Sequence, residues 1–444
     1  MIIKVFETYK EAYMTELKQK LFEAIWNLPT RDIHTHICAD HPAARGLHDI
    51  ILYHMIISEL YSAGCPDGAR LSEDPTIEEA HYRLERAIPY LKYIKNTSLY
   101  WVAKTILADL YDWHEELTED NWRECDAVIR AKGCGSERAK EIADKANLTK
   151  INTELWRGRN HIHDDMFYYS LEWSFFTRSQ WGAYDTALVE LEYSWNQEIP
   201  GPPLPVTLDR STLNFKKTIK TIDDVDDAID HYIEKTPYDE IDNMTSHFST
   251  DIKFRDVTRE EMIDALAKRE SAGDRERDIY ANYIVNRYLD KLEETHPGFN
   301  FQYSLGGEPL PFEGGSKFRS DSVFDLARHV DKYKKINFCV YNANAHQDHA
   351  ICTLIRELPN LSIAGYWWHN FFPTKMRDIM ATRLDMLPTN KQYGFFSDAY
   401  CMEWAYGKAF LIKRQLAEVF AEKIEQGQYT FESAVQIASE IIKK

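Results

Sequence analysis

The stretch RDIHTHICAD, Arg31 to Asp40, holds two histidines one residue apart behind an Asp-Ile pair. It follows a polar turn and then alternates. Asp32, His34 and His36 share one parity, and Ile33, Thr35 and Ile37 share the other. In a strand, residues i and i+2 face the same side, so the pattern predicts a strand over 31–37 with both imidazoles on one face. Two neutral imidazoles so placed can hold a divalent metal. An isolated His-X-His describes equally well two polar residues at a strand end, and the rest of the chain must decide between the two.

Working outward, the chain has 444 residues, enough for two or three ordinary domains or one large barrel with insertions. Hydrophobic residues make up 44%, with 11 Trp, 26 Tyr and 21 Phe, so a sizeable core is available. The net charge of −18 argues against a nucleic-acid backbone or an anionic membrane as the main partner, while a local site can still oppose the global sign. Seven scattered cysteines (Cys38, Cys65, Cys125, Cys134, Cys339, Cys352 and Cys401) include no Cys-X-X-Cys. An odd count of this kind reads as reduced thiols in a cytoplasmic protein. The charged N-terminus reads as neither a signal peptide nor a membrane span.

Residues 1–28 read as one or two helices. GLHDIILYHMIISELYSAG, 46–64, carries the apolar stripe of a buried helix and ends at Gly64, a C-terminal cap. Helical, acidic text continues to about residue 150. Short β-branched or aromatic runs follow: KINTELW, MFYYSLEWSFF, NMTSHFSTDIKF, NFQYSLGG, INFCVYNAN, LSIAGYWW and YGFFSDAY. Helical patterns such as TIDDVDDAIDHYIEK and TREEMIDALAKRE separate them. This alternation predicts parallel βαβ units in a barrel or a wound sheet. The C-terminal KAFLIKRQLAEVFAEKIEQG and TFESAVQIASEIIKK read as two amphipathic helices.

In a (β/α)₈ barrel the chemistry sits at the C-terminal ends of the strands. Read that way, the strand ends deliver His34 and His36, Glu172, His247 with Asp251, Ser304, Asn342 with Asn344, and Asp398 last. The early His-X-His and the segment GYWWHNFFPTKMRDIMATRLDMLPTNKQYGFFSDAY, 365–400, resemble the uronate isomerases of the amidohydrolase superfamily. That family has a Gly-X-Trp-Trp strand, a methionine-bearing helix and a Thr/Ser-Asp strand end in this order. The likeness is clear over about residues 25–62 and 335–420.

The resemblance implies an α/β fold, a distorted (β/α)₈ TIM-like barrel with a large helical insertion after the first strand. Together with the helical patterning described above, it divides the chain into N-terminal helices (1–28), a catalytic barrel (29–63 and 148–420), a helical insertion or lid (64–147) and a C-terminal helix (421–444). It implies one divalent metal held by His34, His36 and Asp398, with Zn²⁺ first and Mn²⁺, Fe²⁺ or Co²⁺ also suited to such a donor set. It implies an aldose–ketose isomerisation of a hexuronate such as glucuronate or galacturonate. The metal would polarise a sugar oxygen and Asp398 would move a proton between C2 and C1, assisted by His54. The candidate substrate-binding residues are Glu172, His247, Trp367 and Tyr400.

The sequence also departs from the family. Ser304 stands where a histidine is expected, Glu172 and Tyr400 stand where arginines are expected, and NANAHQ replaces an Asn-Pro-Arg-Asp-like turn. Arginines suit a carboxylate because a guanidinium bonds it at two points. Arg45, Arg157, Arg159, Arg178 and Arg255 are the alternatives, with WRGRNHIH a cluster of interest.

Each candidate has a plainer reading. Asp398 fits a helix N-cap, His54 a satisfied core histidine, and Trp367 with Trp368 core packing. His161, His163, His346 and His349 fit polar loops. Two other functions compete with the isomerase. One is a metal-dependent hydrolase of an amide, ester or lactone of a neutral or cationic substrate, which Glu172 would favour. The other is a carbohydrate-binding barrel without catalysis. The expected partner is a small sugar acid, with no nucleic acid and no membrane; a homo-oligomer is left open.

Overall fold

The computed structural model describes residues 15–72, 74–157, 165–172, 187–200, 214–248, 254–305, 322–367 and 371–443. Among them, eight strands form one parallel sheet in strictly sequential order. They are β1 (Thr30–Asp32), β2 (Leu148–Glu154), β3 (Phe167–Glu172), β4 (Ile241–Phe248), β5 (Asn300–Leu305), β6 (Asn337–Asn342), β7 (Leu361–Ala364) and β8 (Gln392–Tyr393). Each pairs with the next in parallel register. Two backbone bonds join the segments that follow the outer strands: Asp398 N donates to His34 O at 3.1 Å and His36 N to Ala399 O at 2.8 Å. They curl the sheet into a distorted (β/α)₈ barrel.

Helix α1 (Glu16–Trp26) precedes the sheet. Between β1 and β2 lie α2 (Leu47–Ile51), α3 (His54–Ser62), α4 (Ile77–Ala87), α5 (Ser98–Tyr111), α6 (Trp122–Ala131) and α7 (Ser136–Ala146). The crossovers that follow carry α8 (Ala187–Trp195), α9 (Ile222–Lys235), α10 (Arg259–Leu266), α11 (Asp274–Thr295), α12 (Ser322–Lys332), α13 (Asp348–Glu357) and α14 (Pro373–Met386). The chain ends with α15 (Met402–Glu425) and α16 (Phe431–Ile442). Local chemistry sets several starts. Thr76 with Glu79, Thr221 with Asp224 and Thr258 with Glu261 form reciprocal capping boxes.

Three elements differ from the sequence expectation. The strand expected over 31–37 has ladder pairing only to Asp32, because beyond it the backbone bonds to Asp398 and Ala399 and two side chains bond elsewhere. Asp32 Oδ1 accepts from Ser397 N at 3.0 Å, and Thr35 Oγ1 donates to Asn152 O at 2.6 Å. Of the run YGFFSDAY only the first residue, Tyr393, belongs to β8 (Gln392–Tyr393); the chain then turns, with Asp398 at φ +57°. The helix expected over 46–64 is two helices. Tyr53 leaves the helical region at ψ 135°, donates its hydroxyl to Asp398 O at 3.0 Å and stacks on Trp404 with centroids 4.3 Å apart. That break aims Tyr53 and His54 at the barrel mouth. Gly64 sits past the helix at φ +103°, as a C-terminal cap requires.

Helix α15 is buried along most of its length and packs on α1, α5, α7 and α14. Its apolar run contains two fully buried lysines, Lys408 and Lys413. Lys413 Nζ donates to Trp26 O, Leu28 O and Ala146 O at 3.1, 3.4 and 2.9 Å, and so joins the ends of α1 and α7 to α15. Trp26 O also accepts from Asn147 and Leu28 O from Thr30. All seven cysteines are free, and no helix among the described residues is long and apolar enough to cross a membrane.

Lys413→Met leaves the Ala146 carbonyl buried without its donor and weakens the two others. We expect a loss of about 1–3 kcal/mol, read as a lower urea midpoint. An unchanged midpoint would show that the three bonds add nothing net.

Candidate metal centre

The strand ends converge as the barrel reading requires. Potential ligand atoms of His34, His36 and Asp398 all lie within 4.8 Å of one another. His36 Nε2 is 3.3 Å and His34 Nε2 3.7 Å from Asp398 Oδ1. His34 is 1% and Asp398 5% exposed, while the His36 side chain keeps 13% exposure, so the group is buried but open on the His36 side. The two imidazoles meet edge to face, with centroids 4.9 Å apart.

Glu154, the last residue of β2, backs this group. Its Oε1 lies 2.6 Å from His36 Nδ1. A carboxylate only accepts, so Nδ1 carries the hydrogen and Nε2 faces Asp398. This carboxylate–imidazole arrangement is the usual support of a metal-binding histidine. Arg157 Nε, 2.5 Å from Glu154 Oε2, balances the charge behind it. Two imidazoles and a carboxylate oxygen, one imidazole supported from behind, are a donor set that fits a divalent transition metal.

Burial and neighbouring charges set the charge states of these groups. Burial opposes a charge on His36, but Glu154, Tyr400 and Asp398 outweigh it and raise the imidazole well above its ordinary value. Burial alone would lift the Asp398 carboxyl. His36, His34 and His54 instead hold it below the usual carboxylate range, so it is ionised at neutral pH. Burial takes His54 down to about 3, which makes it a neutral imidazole.

The backbone at Asp398 is unusual for a non-glycine residue. Its left-handed φ of +57° is a conformation aspartate tolerates better than most residues. The bonds to Asp32, His34 and Tyr53 described above surround this turn, and Ala399 N adds a bond to Ser397 Oγ at 3.2 Å. Strain of this kind persists where neighbours over-determine it.

The other sequence candidates fall as follows. His54, the first residue of α3, contacts the Tyr400 ring at 5.3 Å. Tyr400 stacks on His36, with centroids 4.8 Å apart and planes 30° apart. Glu172 ends β3, and burial followed by the Glu154 charge lifts its carboxyl to about 7. Trp367 lies in an aromatic plug inside the barrel with Ile33, Tyr341, Ala364 and Phe396, where it meets Tyr341 edge on at 5.2 Å. Packing is its visible role. Asn342 and Asn344 tie down the turn after β6: Asn342 Nδ2 donates to Asn344 O, and Asn344 Oδ1 accepts from His346 N. His247 lies on β4; its side chain, and Asp251, His161, His163 and Trp368, lie outside the described residues. Of the alternative arginines, Arg157 joins the centre, Arg45 pairs with Asp49 and Arg255 with Glu261. Arg159 and Arg178 lie outside the described residues.

No family model matches this sequence, and no curated protein does. Solved structures do match. Glucuronate isomerase from Caulobacter crescentus superposes with a TM-score of 0.75 at 11% identity, over 96% of this chain and 92% of that one. Uronate isomerase from Thermotoga maritima gives 0.73 at 13% identity, over 96% of each. The uronate isomerase from Bacillus halodurans gives 0.65 at 16% identity, over 97% and 96%. The chain has a uronate isomerase-like fold. Identities this low speak to the fold, and the chemistry rests on the residues in place.

The reading of the sequence missed three residues at the uronate isomerase-like barrel mouth. Glu154 lies within KINTELW, a run read as strand-like to Trp156, whereas β2 ends at Glu154 and a helical turn follows. Arg70, from the segment between α3 and α4, donates Nη1 to the Tyr400 hydroxyl at 2.6 Å. No local pattern marks it. Lys408 was visible as a charge inside an apolar helical run.

Since His36 is held protonated, a metal must displace that proton. Zn²⁺ affinity should rise roughly tenfold per pH unit between about pH 6 and 8, with about one proton released. Calorimetry in buffers of different ionisation enthalpy measures both. Glu154→Gln should weaken metal binding about 10- to 100-fold. Affinity independent of pH, or unchanged by this substitution, would contradict the assignment.

Proposed function

We propose that this protein is a metal-dependent aldose–ketose isomerase of the uronate isomerase type, acting on a hexuronate or a closely related sugar acid. The observation that carries this reading is the convergence of His34, His36 and Asp398 at the C-terminal ends of the barrel strands, within a fold shared with three uronate or glucuronate isomerases over nearly the whole chain.

In this reading His34, His36 and Asp398 hold the ion, with Zn²⁺ preferred and Mn²⁺, Fe²⁺ or Co²⁺ compatible. When bound, the ion supplies Lewis acidity to a sugar oxygen. Asp398, ionised and backed by two imidazoles, takes the C2 proton and returns it to C1. The O2 hydrogen passes toward O1, so the aldehyde becomes a ketone with no atom gained or lost. His54 suits that second transfer, because a neutral imidazole donates at one nitrogen and accepts at the other. Arg70 is placed to meet the sugar carboxylate at the mouth, beside Tyr400 and His36. The seven free thiols support a cytoplasmic location. The reach of Arg70 to Tyr400 supports the segment 64–147 as a cover over the mouth, set between barrel segments 29–63 and 148–420.

The test is turnover of D-glucuronate and D-galacturonate to their keto forms by Zn²⁺- and Mn²⁺-loaded protein. Turnover abolished by Asp398→Asn is the expected result; fully loaded protein that turns over neither sugar would retire the assignment. Arg70→Met should raise KM about 10- to 100-fold with a smaller change in kcat, as expected for loss of a charge-assisted bond to the carboxylate. Unchanged KM would remove Arg70 from the substrate site.

A further inference from the structure

Lys408 lies on α15, at 0% exposure, in a packed apolar setting. Its Nζ is 3.3 Å from the centroid of the Phe371 ring and 5.7 Å from that of Tyr53. The next-door Gly407 shows how closely α15 is seated, since a Cβ there would lie 2.6 Å from Val102 Cγ1 on α5. A lysine in such a place loses its hydration, and a specific acceptor must offset that loss. Here the acceptor is Ser397 O, at 3.0 Å.

Ser397 O belongs to the peptide that leads into Asp398. The N–H of the same peptide donates to His34 O at 3.1 Å. One peptide plane is therefore gripped on its oxygen side by Lys408 and on its nitrogen side by the His34 backbone. The following carbonyl, Asp398 O, accepts from the Tyr53 hydroxyl. These bonds fix the peptides on both sides of the residue at φ +57°, and so fix where its carboxylate points. Lys408 also lies within electrostatic reach of the Asp398 and Asp32 carboxyls. Donation to Ser397 O needs a single N–H, so the grip does not depend on the charge state of the amine.

We propose that Lys408 is a positioning residue for the metal centre: by holding the Ser397 carbonyl from α15 it keeps Asp398 in the turned conformation that aims its carboxylate at His34 and His36. This rests on the reading of those three residues as metal ligands. Lys408 touches neither ion nor substrate; it acts through Asp398. Lys413, the other fully buried lysine of α15, bonds to the ends of α1 and α7 instead, and it serves as the internal control.

Co²⁺ titration followed by visible absorption tests the proposal without relying on turnover, because the bands report the ligand geometry. The proteins compared are the parent, Lys408→Met, Lys408→Gln (one bond too short to reach Ser397 O) and Lys413→Met, each checked for folding by circular dichroism. We expect both Lys408 variants to bind Co²⁺ about 10- to 100-fold more weakly with shifted bands. Lys413→Met should keep the affinity and bands of the parent while losing thermal stability. A folded Lys408 variant with parental affinity and bands would overturn this proposal alone. A parent that takes up no Co²⁺ would overturn the metal reading and this proposal with it.

Discussion

The pairing of the first and last strand ends is the constraint on which the rest depends. Asp398 N to His34 O and His36 N to Ala399 O are ordinary backbone bonds, yet they join residues more than 360 positions apart in the chain. They complete the ring of a sheet whose other neighbours are sequential. The same two bonds bring the early histidines beside the late aspartate. Barrel closure and assembly of the centre are one event, so a register slip at this seam would cost both. The Asp32 carboxylate, accepting from Ser397 N at 3.0 Å, is the side-chain lock on that seam.

A dry seam full of ionisable groups needs internal compensation. Glu154 and Asp398 are paired with His36, and Arg157 stands behind Glu154. Asp32 and Glu172, with less compensation, are both pushed by burial up to about 7. A divalent cation among these carboxylates lowers the cost of keeping them ionised. In the proposed reading, that gives the acidic surroundings a physical purpose. Arg70 supplies positive charge next to Tyr400, where the proposed function places the carboxylate of the sugar acid. It makes Glu172 a weaker argument for a neutral or cationic substrate than the sequence alone implied.

Much of this was legible in the sequence. His34 and His36 were found by parity and Asp398 by its place at a late strand end. The parallel βαβ units followed from alternating strand-like and helical text, and the choice of a barrel over a wound sheet from the family resemblance. The missing parts share a cause, which is that contacts distant in sequence override local pattern. The strand at residue 31 stops at Asp32 because backbone groups of the far end of the chain, at Ser397, Asp398 and Ala399, take up the bonds of this segment. The helix over 46–64 breaks at Tyr53 because that hydroxyl and ring are needed at Asp398 and Trp404. Arg70 was invisible because its partner lies 330 residues away and its own segment has no periodicity. Lys408 and Lys413 were written into an apolar helix, and only the fold shows which carbonyls they serve.

Anomalous diffraction at the zinc edge from crystals of Zn²⁺-loaded protein tests the central claim most directly. The account predicts a single strong peak among His34 Nε2, His36 Nε2 and the Asp398 carboxylate, with Glu154 still bonded to His36 Nδ1. A peak held by other residues, or none at full loading, would contradict it.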